Sequence, residues 1–287
     1  MENKKKKNSE NVIWREFKKN KGAIVGLIMI VLIILIALFA DVLVDYDTDV
    51  IEMNPLERLQ TPSSEHILGT DAYGRDIFAR IIYAARPSLA VGIVAVLIAL
   101  AVGTSLGIIA GYYGGWIETV IMRACDIFVS IPSILLAICI ASSLGQGIAV
   151  LMVAIGVVSC ASFSIVARSA VLTVRSQEYI EAAISSGARD YQVILRHVLP
   201  NCLSPIIVQS TMRVASAIIL ASSLSFLGLG IPAPAPEWGG MLSEGRNFIR
   251  DYSYLTLIPG AAIVITVLSI NLLGDGLRDA MDPKLRS

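Results

Sequence analysis

Residues 22–40 read GAIVGLIMIVLIILIALFA and contain no charged side chain over 19 positions. A helix needs about 20 apolar residues to cross the hydrocarbon core of a bilayer, which is about 30 Å thick. A cleaved signal peptide has a shorter apolar region, of about 7–15 residues. The stretch therefore predicts an uncleaved membrane-spanning helix.

The composition of the whole chain agrees with a membrane environment. Of its 287 residues, 55% are hydrophobic and only 16% are charged, and the mean hydropathy is +0.71. Soluble domains carry about 25% charged residues. A chain with this composition has too few polar side chains to cover its surface in water, so lipid is its expected solvent.

Five more apolar stretches follow the first, and together they predict an all-α protein with six transmembrane helices. The later spans are predicted at residues 88–110, 124–144, 148–167, 205–227 and 255–273. Pro132 lies inside the third span and predicts a kink, because proline lacks the backbone N–H of a regular helix. The connections at 41–87 and 228–254 are rich in turn-forming residues.

The distribution of basic residues predicts the orientation of these spans. Of the 23 Lys and Arg residues, 17 lie in the two termini and in the connections at 112–123 and 168–213. Positive residues are retained on the cytoplasmic side of a membrane. Both termini and the 168–201 connection are therefore predicted to be cytoplasmic.

Three glycines in the second span are spaced four residues apart. Gly103, Gly107 and Gly111 therefore lie on one face of the helix. Small residues in this spacing let a second helix approach closely within a membrane. Glycine is also common in membrane helices in general, but three in register favour a packing face.

The 168–201 connection predicts two short helices separated by a turn. Residues 177–186 favour a helix, Gly187 allows a left-handed backbone, and 190–198 favour a second helix that begins with an acid. Pro200 is expected to stop the second helix and start the return to the membrane. From the residues alone, a projecting helix–turn–helix and an amphipathic linker lying on the membrane surface are both open.

The residues of this connection resemble a known signature. Glu181-Ala182-Ala183, then Gly187 and Ala188, then His197 to Leu199-Pro200 are similar to the signature loop of ABC importer permeases. The general pattern has isoleucine where His197 stands. Arg196-His197 before Leu199-Pro200 resembles the branch of the family that handles peptides and nickel.

Separated motifs from about residue 13 to 286 resemble the same branch. They are the HILGTD stretch at 66–71 with Gly74-Arg75-Asp76, LSFLGLG at 224–230 with Trp238-Gly239, and NLLGDGLRD at 271–279 with Asp282-Pro283. The chain is similar to the second permease subunit of oligopeptide, dipeptide or nickel importers. The expected division is a cytoplasmic tail at 1–21, a first transmembrane helix with its external loop at 22–87, an ABC transmembrane domain at 88–277 and a cytoplasmic tail at 278–287.

The resemblance implies a type I importer fold with a coupling helix between the fourth and fifth spans. The ATPase-coupling residues it implies are Glu181, Ala182, Ala183, Gly187, Ala188, His197, Leu199 and Pro200. The implied partners are a second permease subunit, two ATPase subunits and an extracellular or periplasmic binding protein. The implied location is the bacterial inner membrane, and ATP and Mg²⁺ are expected on the ATPases, with no cofactor in this chain.

Arg213 is a candidate residue of the translocation pathway. It lies about nine residues into the predicted fifth span. A charge at the centre of a bilayer costs at least about 2.5–3.5 kcal/mol. It either lines the substrate path or contacts a carboxylate, or else the span begins later and Arg213 reaches the cytoplasmic surface. We favour the second alternative on the sequence alone.

The sequence offers little support for other classes of function. Gly69 to Arg75 superficially resembles a phosphate loop but lacks its Gly-Lys-Ser/Thr ending, and the two histidines are predicted on opposite sides of the membrane. No catalytic residue, metal site or disulfide is predicted, nor nucleic-acid binding by the basic N-terminus. The leading function is uptake of peptides, with a nickel or metal-chelate importer as the alternative. An ion-coupled secondary transporter or a channel-like subunit remains a further alternative.

Overall fold

The computed structural model describes residues 14–281 and is helical, with no β-strand in that range. Of the predicted tails at 1–21 and 278–287, residues 1–13 and 282–287 lie outside the described residues. The helices are α1 (Lys21–Leu38), α2 (Ile77–Tyr113), α3 (Gly115–Ser130), α4 (Ser133–Leu144), α5 (Ile148–Arg175), α6 (Glu178–Ser185), α7 (Asp190–Val193), α8 (Leu199–Phe226), α9 (Trp238–Gly245) and α10 (Tyr254–Met281).

Five helical segments are long and apolar enough to cross a membrane, and a bent pair supplies a sixth candidate. The five are α1, α2, α5, the continuous segment Asp190–Phe226 that ends with α8, and α10. The pair is α3 and α4, which meet at an angle of 94°. With the bent pair counted as one span, the described residues hold six candidate membrane helices, in agreement with the predicted number.

Helix α2 is longer than predicted and begins at Ile77, 11 residues before the expected start of the second span. The Asp76 carboxylate caps it by accepting the Ala79 N–H at 2.9 Å. The sequence indicated a loop here because residues 41–87 carry nine acids and four arginines, among them Arg80 and Arg86. Both arginines have partners from other parts of the chain, so their charges do not end the helix.

Those partners include the end of α1 and the segment that follows it in the sequence. The Arg86 guanidinium binds the carbonyls of Ala37 and Leu38 at 2.5 and 3.0 Å, which end α1, and the Asp41 carboxylate at 2.9 Å. Arg80 is 1% exposed and donates to the Val50 carbonyl at 3.0 Å. Polar groups buried in this way cost little because they are paired.

The predicted third span is interrupted by a break, not a kink. Helix α3 begins at Gly115, nine residues before the expected start, and ends at Ser130. Ile131 and Pro132 have extended backbone ψ angles of 130° and 127°, and α4 starts at Ser133. A proline with this backbone conformation ends one helix and begins another, which explains the sharp bend.

Helix α5 also extends beyond its predicted end at Ala167 and continues to Arg175. Arg168 was expected to begin a polar connection. Its Nε instead donates to the Glu118 carboxylate of α3 at 2.6 Å, and its Nη2 contacts the same oxygen. This pair holds α3 against α5 where sequence alone indicated a loop.

Helices α2 and α5 pack closely along the face that carries Gly103, Gly107 and Gly111. A Cβ atom added at Gly107 would lie 2.7 Å from the Cβ of Ala167, and one at Gly111 would lie 2.8 Å from the Cβ of Val171. Neither distance leaves room for a side chain. The structure therefore places the three glycines at a close helix–helix contact.

At the end of α2 that begins with Ile77, the 41–76 segment folds over the helix ends. Arg75 is 1% exposed and binds the Asp71 carboxylate at 2.6 Å and the Glu244 carboxylate of α9 at 2.8 Å. The Tyr254 hydroxyl donates to the Gln60 carbonyl at 2.9 Å. These contacts join the first long connection to α9 and α10. No local sequence pattern indicates this buried ionic cluster, because Glu244 lies 169 positions from Arg75.

Candidate functional site

The opposite end of α2 carries the 178–198 segment, in which the predicted helix–turn–helix forms. Helix α6 covers Glu178–Ser185, and Gly187 follows it with φ of +84°. The Gly187 N–H donates to the Ile184 carbonyl at 2.9 Å, and the Ala188 N–H donates to the Ala183 carbonyl at 3.2 Å. This pair of bonds is a Schellman motif, which requires a left-handed residue at the position of Gly187.

The second half of the segment differs from the prediction at Pro200. Helix α7 covers Asp190–Val193, a π-helical turn follows at Ile194–Val198, and α8 begins at Leu199. Pro200 is the second residue of α8 and does not stop the helix. Proline is tolerated in the first turn of a helix, and here it directly follows the wider π turn. The backbone therefore continues without a break from α7 into α8.

The inner face of the 178–198 segment packs against α2 and α5. Ile180, Val193 and Val198 are at most 1% exposed and belong to one cluster with Val171 and Ile108. This packing fixes the short helices on the ends of two long ones. The segment is thus a rigid part of the fold, and not a linker lying free of it.

One polar contact reinforces this packing. The Tyr112 hydroxyl, in the last turn of α2, donates to the Asp190 carboxylate at 3.0 Å. Tyr112 itself is 7% exposed. Neither residue was predicted to be functional. They lie 78 positions apart in the sequence, so no local motif links them.

The outer face of the segment is exposed and partly apolar. Tyr179, Ile184, Tyr191 and Leu195 are between 43% and 60% exposed. Of the predicted coupling residues, Glu181, Ala182, Gly187 and Pro200 are exposed, and Ala183, Ala188, His197 and Leu199 are half-buried. Five of these residues lie in α6 and the turn after it, namely Glu181, Ala182, Ala183, Gly187 and Ala188, and the other three, His197, Leu199 and Pro200, lie at the junction of the π turn and α8. Exposed apolar side chains grouped in this way are typical of a protein-binding surface.

A second candidate site is a cavity of about 300 Å³ beside the break between α3 and α4. We call it the Arg213 cavity. Its polar lining consists of Arg213 and five serines from three helices, namely Ser133, Ser159, Ser162, Ser216 and Ser223. The remaining lining is apolar. A mostly apolar cavity with a few convergent polar groups is typical of a ligand site.

Arg213 lies at the middle of α8, which spans Leu199–Phe226. The helix begins six residues before the predicted start of the fifth span, and not after it. The continuous segment Asp190–Phe226 has 37 residues, more than the roughly 20 that a bilayer requires, so its length fits both alternatives for the position of Arg213. Within residues 14–281, Arg213 forms no ion pair with a carboxylate. Its charge faces the cavity without a counter-ion from the described part of the chain.

The N-terminus of α4 also opens on the Arg213 cavity. The first residues of this helix, Ser133 and Ile134, line it, and no side chain caps the helix start. The first N–H groups of a helix have no partner within the helix and carry a partial positive charge. No sequence motif predicts the cavity, because it depends on the 94° angle between α3 and α4.

Two family models match the chain. Residues 103–287 match the binding-protein-dependent transport system inner membrane component. Residues 11–62 match the N-terminal transmembrane domain of oligopeptide transport permease C.

Curated relatives cover almost the whole chain. A dipeptide transport system permease protein of Alkalihalophilus pseudofirmus is 51% identical over 96% of this chain and 91% of its own length. A glutathione transport system permease protein of Pectobacterium atrosepticum is 45% identical over 96% of this chain and 91% of its own length.

Solved structures share the fold. An inward-facing methionine ABC transporter superposes with a TM-score of 0.60 at 18% identity, over 72% of this chain and 98% of that one. An amino acid ABC transporter superposes with a TM-score of 0.54 at 14% identity, over 70% of this chain and 94% of that one.

Proposed function

The chain belongs to the family of binding-protein-dependent transport system inner membrane components, and from that premise we propose that it is a membrane-spanning subunit of an ATP-driven peptide importer. The relatives named for dipeptide and glutathione transport support peptides as the substrate class. The same names do not favour the nickel or metal-chelate alternative. The single observation that carries the proposal is the match over almost the whole chain at 51% identity.

The 178–198 segment is the proposed contact with an ATPase subunit. Its outer face is exposed and partly apolar, while its inner face is fixed on α2 and α5. Movement of a docked partner is transmitted only if the segment is rigidly attached to the membrane helices. Glu181, Ala182 and Ala183 would contact the partner, and Gly187 sets the direction between α6 and α7. ATP and Mg²⁺ would be bound by the ATPase subunits, with hydrolysis there and not in this chain.

The basic residues support the orientation of the subunit in the cell membrane. Both termini and the 178–198 segment would face the cytoplasm, since 16 of 23 basic residues lie on that side when Arg213, inside α8, is not counted. The 41–76 segment and α9 would then face outward, towards a substrate-binding protein. A second permease subunit would complete the translocation pathway.

Transport by the assembled complex tests this proposal. Membrane vesicles that contain the chain with its partner permease and ATPases, and with the binding protein, are expected to accumulate peptides only when ATP is supplied. A proton ionophore should not abolish the accumulation. Uptake that needs no ATP and collapses with the ionophore would instead indicate an ion-coupled transporter.

A substitution on the docking face tests the coupling role separately. Ala183→Trp should leave the protein in the membrane but stop ATP-dependent uptake and release the ATPase. The matched control is Ala149→Trp, at an exposed alanine at the start of α5, far from the 178–198 segment. Normal uptake by Ala183→Trp would contradict the docking assignment.

A further inference from the structure

We propose that the Arg213 cavity is a transient binding site for the carboxylate of the transported peptide. The inference rests on the proposed function, because it assumes that peptides pass this chain. A peptide with a free C-terminus carries a carboxylate. That group is the planar, bidentate partner that a guanidinium recognises best.

The charge of Arg213 lacks a partner in an apolar helix. Arg213 lies at the middle of α8, in a segment apolar enough to cross a membrane, and an unpaired cation inside a membrane is costly. Within residues 14–281 it has no carboxylate partner. A ligand that supplies the negative charge while passing would stabilise the guanidinium.

The composition of the cavity also suits a peptide carboxylate. Its volume of about 300 Å³ is at the lower end of the range for small-molecule sites. The hydroxyls of Ser133, Ser159 and Ser162 on α4 and α5 can donate to carboxylate oxygens. The α8 hydroxyls of Ser216 and Ser223 donate to carbonyls of their own helix and can accept from peptide N–H groups. The apolar remainder is compatible with varied side chains, because it offers no specific polar contact to them.

The wall of the cavity carries a second source of positive charge. The start of α4, which no side chain caps, lines the cavity and adds partial positive charge there. Broken helices in membrane transporters present such ends to anionic groups of substrates. Arg213 and the α4 start together make the cavity electropositive, which favours an anion over a neutral or cationic group.

The experiment compares peptides with and without the carboxylate. Vesicles with the complete transporter and its binding protein are supplied with Ala-Ala, tri-alanine and tetra-alanine, each as the free acid and as the C-terminal amide. We expect Arg213→Gln to lower uptake of the free acids by roughly 10- to 100-fold, the worth of a charged hydrogen-bonded pair. Amide uptake, where the wild type shows it, should change by less than about threefold.

Two further variants separate charge from structure. Arg213→Lys keeps the charge but not the bidentate geometry, so it should retain more free-acid uptake than Arg213→Gln. Arg123→Gln removes an exposed arginine on α3 that does not line the cavity, and uptake should stay at the wild-type level. Co-purification of the ATPase with each variant checks assembly.

The outcomes are distinct. The inference is overturned if free-acid uptake by Arg213→Gln stays normal, if free acids and amides fall equally, or if Arg213→Lys is no better than Arg213→Gln. An equal fall would indicate that Arg213 pairs with a carboxylate of the partner permease. If the wild-type complex takes up none of the peptides with ATP, the proposed function fails, and this inference fails with it.

Discussion

The hydroxyl of Tyr112 donates a hydrogen bond to the carboxylate of Asp190 at 3.0 Å, and this bond joins the last turn of α2 to the first residue of α7. Helix α2 has 37 residues and is therefore about 55 Å long. Its other end lies beneath the 41–76 segment. One long helix thus connects the proposed ATPase contact with the proposed outer surface of the subunit.

The first prediction concerns this hydrogen bond. Tyr112→Phe keeps the buried ring but removes the donor, which should weaken the attachment of α7 by about 1 kcal/mol. We expect peptide uptake to fall while ATP hydrolysis by the assembled complex continues, so the number of peptides transported per ATP decreases. The control is Tyr113→Phe, since the neighbouring Tyr113 is 47% exposed. Equal transport ratios for the two variants would show that the bond has no coupling role.

The second prediction concerns the backbone at Gly187. No atom lies within 4 Å of an added Cβ atom, so the constraint is the positive φ and not space. A left-handed backbone costs most residues about 1–2 kcal/mol, and asparagine tolerates it best. Gly187→Val should therefore reduce ATPase binding and uptake, while Gly187→Asn should retain most of both. Binding of the ATPase to purified subunits measures the difference, and a variant series ordered by side-chain size would refute the backbone explanation.

The third prediction concerns the contact between α2 and α5. Gly107→Ala places a methyl group against the Ser164 carbonyl and 2.7 Å from the Cβ of Ala167. Overpacking of this kind costs about 1–3 kcal/mol, so the thermal unfolding temperature in detergent should fall. Gly260→Ala is the control, because its nearest neighbour would be Leu242 Cδ1 at 3.8 Å. A similar unfolding temperature for both variants would contradict the close approach.

The fourth prediction concerns acid stability near the end of α1. Hydrogen bonds from the Arg86 guanidinium and then from the Tyr83 hydroxyl hold the pKa of Asp41 below its usual range. A carboxyl group with a depressed pKa stabilises the fold above its unfolded-state pKa, and this stabilisation is lost as the pH falls through the folded-state value. Asp41→Asn should therefore lower the unfolding temperature at pH 7.

The same effect should disappear in acid. Below the folded-state pKa of Asp41 the wild-type group is protonated, so wild type and Asp41→Asn should unfold at similar temperatures. Asp251→Asn removes an exposed acid and serves as the control at both pH values. A difference between wild type and Asp41→Asn that does not depend on pH would contradict the assignment.

The sequence predicted the apolar spans and the 178–198 segment because both depend on local patterns. A run of 19 uncharged apolar residues predicts a membrane span from local sequence alone. The Schellman motif at Gly187 likewise depends only on hydrogen bonds between residues close to it in the sequence. The start of α2 lies earlier than predicted because the charges of Arg80 and Arg86 are paired within the fold. Their hydrogen-bond partners lie 30 or more positions away in the sequence, among them Val50 and Asp41. Likewise, the sequence placed Arg213 in a span but could not predict a cavity that exists through the bend between α3 and α4.

The last prediction concerns the ionic cluster on the 41–76 segment. Arg75 is 1% exposed and binds Asp71 and Glu244, so Arg75→Met leaves two carboxylates without their main partner. Removing one member of a buried ion pair typically costs about 3–5 kcal/mol. We expect a large fall in the unfolding temperature and faster proteolysis within residues 41–76, because this cluster joins the segment to α9. Arg250→Met, at an exposed position, should change neither measurement. If the double variant Arg75→Met with Glu244→Leu is as unstable as Arg75→Met alone, the unpaired Glu244 charge does not contribute to the cost, and packing around Arg75 accounts for it instead.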